Sequence, residues 1–145
     1  VIFTAGAYEL DDDPGRIDRD AVWEFLSAEA YWGRDRTRAD FDAQLASAWR
    51  VVGAYESATG RQVGFARAIS DGVAYGYLSD VYVARPARGA GLGKELVATM
   101  IDRGPGAAFR WTLHTSDAHD LYRKFGFAAP DARYMERPAA YAPGS

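Results

Sequence analysis

The chain has no cysteine among its 145 residues. Disulfides, thiolate-held metals and a cysteine nucleophile are thereby excluded. Histidine is almost as scarce, with only His114 and His119, so no metal site is expected. There is no excess of positive charge either: 17 Lys and Arg face 20 Asp and Glu, a formal charge of −3. That balance argues against nonspecific nucleic-acid binding and suits a cationic substrate such as an amine. No apolar run approaches the ~20 residues of a membrane span, and no signal-peptide pattern is visible. The expectation is a cytoplasmic protein that contacts neither membrane nor nucleic acid. The sequence starts at Val1 rather than Met, which leaves open whether native residues precede it.

What is present fits one domain, residues 1–145, with a loose tail after about Pro138. A chain of this size buries roughly 70% of its unfolded surface, so its core needs no covalent staples. Val1 to Leu10 begins apolar and reads as a first strand. Asp11-Asp12-Asp13-Pro14-Gly15 reads as a solvated turn, since nothing nearby supplies ligands at EF-hand spacing. Asp18 or Asp20 can cap a helix to about Tyr31, with Val22, Phe25 and Leu26 on one face. Thr37 caps a second helix that buries Phe41 and Leu45. The period then switches to that of strands: Val51 to Glu56, Gln62 to Ser70, and Tyr77 to Val83, with Asp71-Gly72 as a hairpin turn. A helix follows from Leu92, ended by Gly104-Pro105-Gly106. Phe109 to Thr115 alternates as a strand. Asp117 caps a short helix through Phe125, and Phe127 and Tyr134 to Glu136 read as two last short strands. The fold class is mixed α/β (α+β), a mostly antiparallel sheet of six to seven strands flanked by about four helices.

The stretch from Tyr77 to Ile101 organises the chain. Strand Tyr77–Val83 is stopped by Pro86. The following helix places Leu92, Leu96, Val97, Met100 and Ile101 on one face. Between them lies Arg88-Gly89-Ala90-Gly91-Leu92-Gly93-Lys94. Glycines let a backbone turn tightly and approach a ligand closely. Helix-start amides lack internal partners and sit at the positive end of the helix dipole. Such a loop, bracketed by Arg88 and Lys94, is a ready phosphate or pyrophosphate site. It is not a P-loop, because Arg88 stands where the first glycine belongs and Glu95 where Ser or Thr belongs. It is not a dinucleotide fingerprint from Gly89, because Lys94 replaces the third glycine.

The pattern R-x-x-G-x-G, Arg88 to Gly93, resembles the acyl-CoA pyrophosphate loop of the GNAT superfamily of N-acyltransferases. A second segment also resembles that family: A-x-x-L-Y-x-x-x-G-F, here Ala118, Leu121, Tyr122, Gly126 and Phe127. The two motifs stand in the family's order, and the likeness covers about Val51 to Glu136. Tyr31-Trp32, Gly64-Phe65-Ala66-Arg67, Leu78-Ser79-Asp80-Val81 and Asp117-Ala118-His119 are similar to one bacterial subgroup of it.

The resemblance implies an enzyme that moves an acetyl group from acetyl-CoA to a primary amine of a small molecule or peptide by direct attack. It implies acetyl-CoA as cosubstrate, lying between strands Tyr77–Val83 and Phe109–Thr115. Main chain near Val81, Tyr82 and Val83 would bind pantetheine. The amides of Arg88, Gly89, Ala90, Gly91, Leu92, Gly93 and Lys94 would hold pyrophosphate. Tyr122 matches the position that protonates the departing thiolate. A phenol titrates near ~10 and a thiol near ~8.5, which makes that transfer favourable. On periodicity alone Tyr122 is equally a core residue. Asp80 or His114 is the candidate base, each with a plain alternative: an arginine partner for Asp80, an exposed strand end for His114. Aspartate at Asp117, where many members have asparagine, puts a direct bond to the cofactor in question. Tyr31, Trp32, Arg34, Phe65 and Arg67, with Arg36, are candidates to line the acceptor site, with core packing the alternative for the aromatics. Arginines facing that pocket would suit an acceptor bearing a carboxylate. A homodimer through the C-terminal strands is a further expectation of the resemblance. Two other classes stay open: a noncatalytic acyl-CoA-binding sensor, and a partner-binding domain with a vestigial loop.

Overall fold

The computed structural model describes residues 1–29 and 36–140. Among them six strands form one sheet in sequential order. They are β1 (Phe3–Ala5), β2 (Tyr8–Asp11), β3 (Arg50–Glu56), β4 (Gln62–Ser70), β5 (Tyr75–Val83) and β6 (Arg110–Thr112). Neighbours are antiparallel except β5 and β6, which run parallel. Four helices flank the sheet: α1 (Arg19–Ala28), α2 (Arg38–Ser47), α3 (Leu92–Met100) and α4 (His119–Arg123). This is the mixed class expected.

Alternation along the strands builds two cores. Val52, Ala54, Ala66 and Ala68 face α3, where they meet Leu92, Leu96, Val97 and Met100. Val51 and Phe65, one residue out of step, face α1 and α2, where they meet Val22, Leu26, Phe41 and Leu45. Successive side chains of a strand point to opposite faces, so one hydrophobic run serves both helical layers. The caps follow side-chain chemistry. Asp18 accepts from Ala21 N–H at 3.1 Å and Thr37 from Asp40 N–H at 3.1 Å, satisfying amides the helices cannot.

One interruption of this alternation matters for function. Leu78 packs in the α3 core, yet Tyr82, four residues on, packs against α1 and α2. An even spacing should keep both on one face. The β4–β5 register explains the switch, because it jumps from Arg67↔Ser79 to Phe65↔Tyr82. The extra residue is a β-bulge, and Asp80 sits in it at φ 53°, a left-handed conformation that aspartate tolerates better than most.

Four sequence expectations are corrected. The N-terminus is a hairpin rather than one strand, turning at Gly6 with φ 57°. Phe127 and Tyr134 to Glu136 do not form strands. Asp117 does not cap α4, which starts at His119 without a side-chain cap. Instead the Thr115 hydroxyl accepts from the amides of Asp117 and Ala118, at 3.4 and 3.1 Å. Helix α1 ends at Ala28, and Tyr31, where it was expected to end, lies outside the described residues.

Candidate active site

The site begins where β5 and β6 part. Their pairing covers only Tyr75↔Arg110, Gly76↔Trp111 and Tyr77↔Thr112. Beyond it, from Leu78 to Val83, β5 shows that edge without a strand neighbour among the described residues. An open edge of this kind can bond an extended ligand as an added strand. Val81 and Val83 are half-buried there, whereas the Tyr82 ring turns away and stacks on Phe25 at 3.9 Å. Burial drives the Tyr82 pKa well up, so its phenol stays neutral.

Beyond β5 the chain makes a short 3-10 turn at Arg85–Ala87 and then the glycine loop. Gly89 and Gly91 adopt φ 87° and 77°, which glycine alone visits without strain. A Cβ at either would meet nothing within 4 Å, so this backbone lies open. Gly91 caps α3 with no side-chain bond. The first bond of the helix runs from Glu95 N–H to Gly91 C=O at 3.2 Å, which leaves the Leu92, Gly93 and Lys94 amides ahead of it. Arg88, Ala90 and Lys94 are exposed around them. The Arg88 Nε donates to Val83 C=O at 3.0 Å, tying the loop to the end of β5. Leu92 is buried and anchors the helix start. A Cβ on Gly93 would lie 3.9 Å from Leu121 Cδ2 and 4.0 Å from Val83 Cγ2. The loop therefore closes the gap between β5 and α4.

On the α4 side Tyr122 is 9% exposed and meets Phe127 edge to face at 5.7 Å. It belongs to the α3 core and also lines a cleft of about 1010 Å³, together with His114, Thr115 and His119. Core packing and access to the cleft are thus both satisfied. Asp117 is exposed beside this cleft and meets Thr115 Oγ1 at 3.5 Å.

The other acid–base candidates separate sharply. Asp80 has no side-chain exposure, and Arg36 grips it bidentately at 2.8 Å to each oxygen while Arg67 Nε reaches it at 2.9 Å. Burial opposes its charge, but the bonds and charges of Arg36 and Arg67 outweigh that and hold its carboxyl below the ordinary value. A carboxylate so held is a poor proton acceptor. The arginines are committed too. Arg36 also donates to Gln44 at 3.0 Å and Arg67 to Ser79 at 3.1 Å. They brace the bulge against the start of α2, which leaves little for an acceptor carboxylate. Phe65 is fully buried and packs 6.2 Å from the Tyr82 ring, so it is core. Tyr31, Trp32 and Arg34 lie outside the described residues.

His114 is half exposed and engaged at both nitrogens. Tyr77 Oη lies 2.6 Å from Nδ1, and Glu136 meets Nε2. Sequence reasoning missed Tyr77 and Glu136. Glu136 is 22 residues away, and no periodicity signals that contact.

The profile of the acetyltransferase (GNAT) family matches residues 17–127. The chain belongs to the GNAT acetyltransferase family. A Gibberella zeae protein named as an acetyltransferase is 30% identical over 140 residues, covering 84% of this chain and 79% of that one. A solved Xanthomonas campestris pv. campestris structure, assigned to the GNAT family as an acetyltransferase, is 34% identical with a TM-score of 0.82. It covers 94% of both chains. A Clostridium acetobutylicum acetyltransferase solved with acetyl-CoA is 16% identical at TM-score 0.64, covering 90% of this chain and 94% of that one; that likeness is one of fold. This GNAT protein is therefore an acyl-CoA-dependent N-acetyltransferase by type, of a family that uses acetyl-CoA and acts on acceptor substrates. Its own residues fit that cosubstrate: an open glycine backbone at an uncapped helix start suits a pyrophosphate, and the bare β5 edge suits pantetheine. No described helix is long and apolar enough to cross a membrane.

Proposed function

We propose that this enzyme acetylates a primary amine of a small molecule or peptide by direct attack, with Tyr122 protonating the leaving thiolate. Acetyl-CoA supplies the activated carbonyl. The observation that carries the reading is the closeness of Gly93, at the uncapped start of α3, to Leu121, the neighbour of Tyr122. Amides suited to a phosphate thereby come close to the helix that carries the candidate acid. The amides of 88–94 would orient the cosubstrate and concentrate negative charge at the helix N-terminus. Main chain at Val81 and Val83 would align its arm. Tyr122, largely shielded by Phe127, would hold its proton until sulfur accepts it.

A cytoplasmic setting belongs to the same proposal, as does a homodimer through the C-terminal segment, where Met135 is 92% exposed. Sedimentation would test the dimer. The activity itself is read with acetyl-CoA and a panel of amines, following released CoA with a thiol-reactive dye. The protein has no cysteine to add background. Turnover that falls about a hundredfold in Tyr122→Phe supports the assignment. Acetyl-CoA binding without turnover on any amine would support a sensor instead.

A further inference from the structure

Tyr77, His114 and Glu136 form a hydrogen-bonded chain where β5 and β6 diverge. Tyr77 is the last β5 residue paired with β6, opposite Thr112, and His114 follows two residues later. His114 lines the cleft that Tyr122 also lines. Glu136 comes from the C-terminal segment and is further held by Tyr134 Oη at 3.2 Å. The proton positions follow from donor chemistry. An ionised carboxylate only accepts, so Nε2 of His114 carries the hydrogen facing Glu136. In the neutral ring Nδ1 is then the acceptor, and Tyr77 Oη donates to it. The phenol oxygen keeps lone pairs for an N–H of an incoming amine. Hydroxyl, imidazole and carboxylate stand in the order by which, in hydrolase triads, the imidazole takes the hydroxyl's proton while the carboxylate orients the ring. Asp80, the rival base, is locked between two arginines.

We propose that Tyr77, His114 and Glu136 form the relay that removes the proton from the acceptor amine. The inference rests on the acetyltransferase reading above. As the N–C bond forms and the C–S bond breaks, the amine's surplus proton passes to Tyr77 Oη while the phenol proton passes to His114 Nδ1. Glu136 positions the ring and stabilises the imidazolium. The thiolate takes its proton from Tyr122. Exchange with water afterwards discharges His114 and restores Tyr122, so no other reactant is consumed. The charged and titratable groups acting on Tyr77 are Tyr75 on β5, Arg67 on β4, and Tyr134 beside Glu136, while His119, Asp102, Arg110, Arg123, Asp131 and Arg133 share the cleft that His114 lines. Burial, with the acidic groups around it, raises the Tyr77 pKa, which suits a phenol that relays a proton rather than one that ionises.

The test has two arms on the full chain. In the first, nitrogen NMR of the two histidines, assigned with His119→Gln, should show His114 as the Nε2–H tautomer. Glu136→Gln and Tyr77→Phe should each disturb that pattern. In the second, acetyl-CoA is turned over with ethanolamine, spermidine, lysine and a lysine-containing peptide as probes. His114→Ala and Tyr77→Phe should lower kcat/KM ~10²-fold near pH 7, with acetyl-CoA affinity unchanged. The loss should shrink to about tenfold or less near pH 9.5, where hydroxide is abundant enough to take the surplus proton in the relay's place. A loss equal at every pH, or one below threefold near pH 7, overturns the relay and leaves the acetyltransferase reading standing. A mixed-tautomer or Nδ1–H ring in the wild type also overturns it. A wild type that neither binds acetyl-CoA nor turns over any probe overturns the functional reading and the relay together.

Discussion

Two arginine-bearing regions of this molecule handle charge in opposite ways. At the bulge, Arg36 and Arg67 spend their donors on a fully buried Asp80 and on Gln44 and Ser79. At the glycine loop, Arg88 uses Nε on Val83 C=O and otherwise stands exposed beside uncapped amides. The first region satisfies its charges internally and so fixes structure. The second aims its donors outward, as a ligand site must. What separates them is whether the donors already have acceptors inside the protein.

The largest expected effect breaks the first region. Asp80→Asn leaves the buried Arg67 and the partly buried Arg36 without their anion and should destabilise the fold by about 3–5 kcal/mol in denaturant unfolding. The pH dependence follows the same bond. Native Asp80 titrates below its unfolded value, so its stabilisation is full above about pH 4 and is lost as pH falls through the lowered native pKa. Wild-type unfolding followed from neutral pH into acid should show this loss, and Asp80→Asn should lack that share of it.

Next comes chemistry beside the second region. Tyr122→Phe should cost about 2.7 kcal/mol in kcat, a hundredfold, and leave acetyl-CoA binding unchanged. Equal losses in affinity and melting temperature would return Tyr122 to a packing role. Gly91→Ala places a side chain at φ 77° where a Cβ meets no atom. It should cost about 1–2 kcal/mol of stability through backbone strain alone. The smallest change is Arg88→Ala, which should weaken acetyl-CoA by about 1 kcal/mol, roughly fivefold, and more at low salt than at high. If Arg88→Ala instead destabilised the fold as strongly as Asp80→Asn, the contrast between the two regions would collapse.

How far the sequence could be read depended on the range of each interaction. The glycine loop, α3 with its Leu92 and Leu96 stripe, and the Thr37 cap were legible because they are set within a turn or two of chain. The N-terminal hairpin was not, since its Gly6 turn interrupts the apolar run for two residues only. The bulge was invisible because Leu78, Asp80 and Tyr82 keep an even spacing on paper while the extra residue flips the face. Asp80 therefore looked as available a base as His114, and arginine partners 44 and 13 residues away decide otherwise. Phe65 was a candidate to line the acceptor site with core packing the alternative, and alternation with Ala66 places it in the α1–α2 core. The last segment was read as strands from Tyr134 to Glu136. It makes side-chain bonds within itself and to His114, and a backbone turn bond from Tyr134 N–H to Asp131 C=O, but no strand ladder.

The most direct test of the account is acetyl-CoA binding by titration calorimetry to wild type, Gly91→Ala and Gly91→Glu. The alanine variant carries the same strain without charge, so it separates folding from recognition. The account predicts binding by wild type, binding within about tenfold by Gly91→Ala, and none by Gly91→Glu, whose carboxylate faces the phosphate cradle. Equal binding by wild type and Gly91→Glu would contradict it, because the cosubstrate would then be held somewhere other than the loop from Arg88 to Lys94.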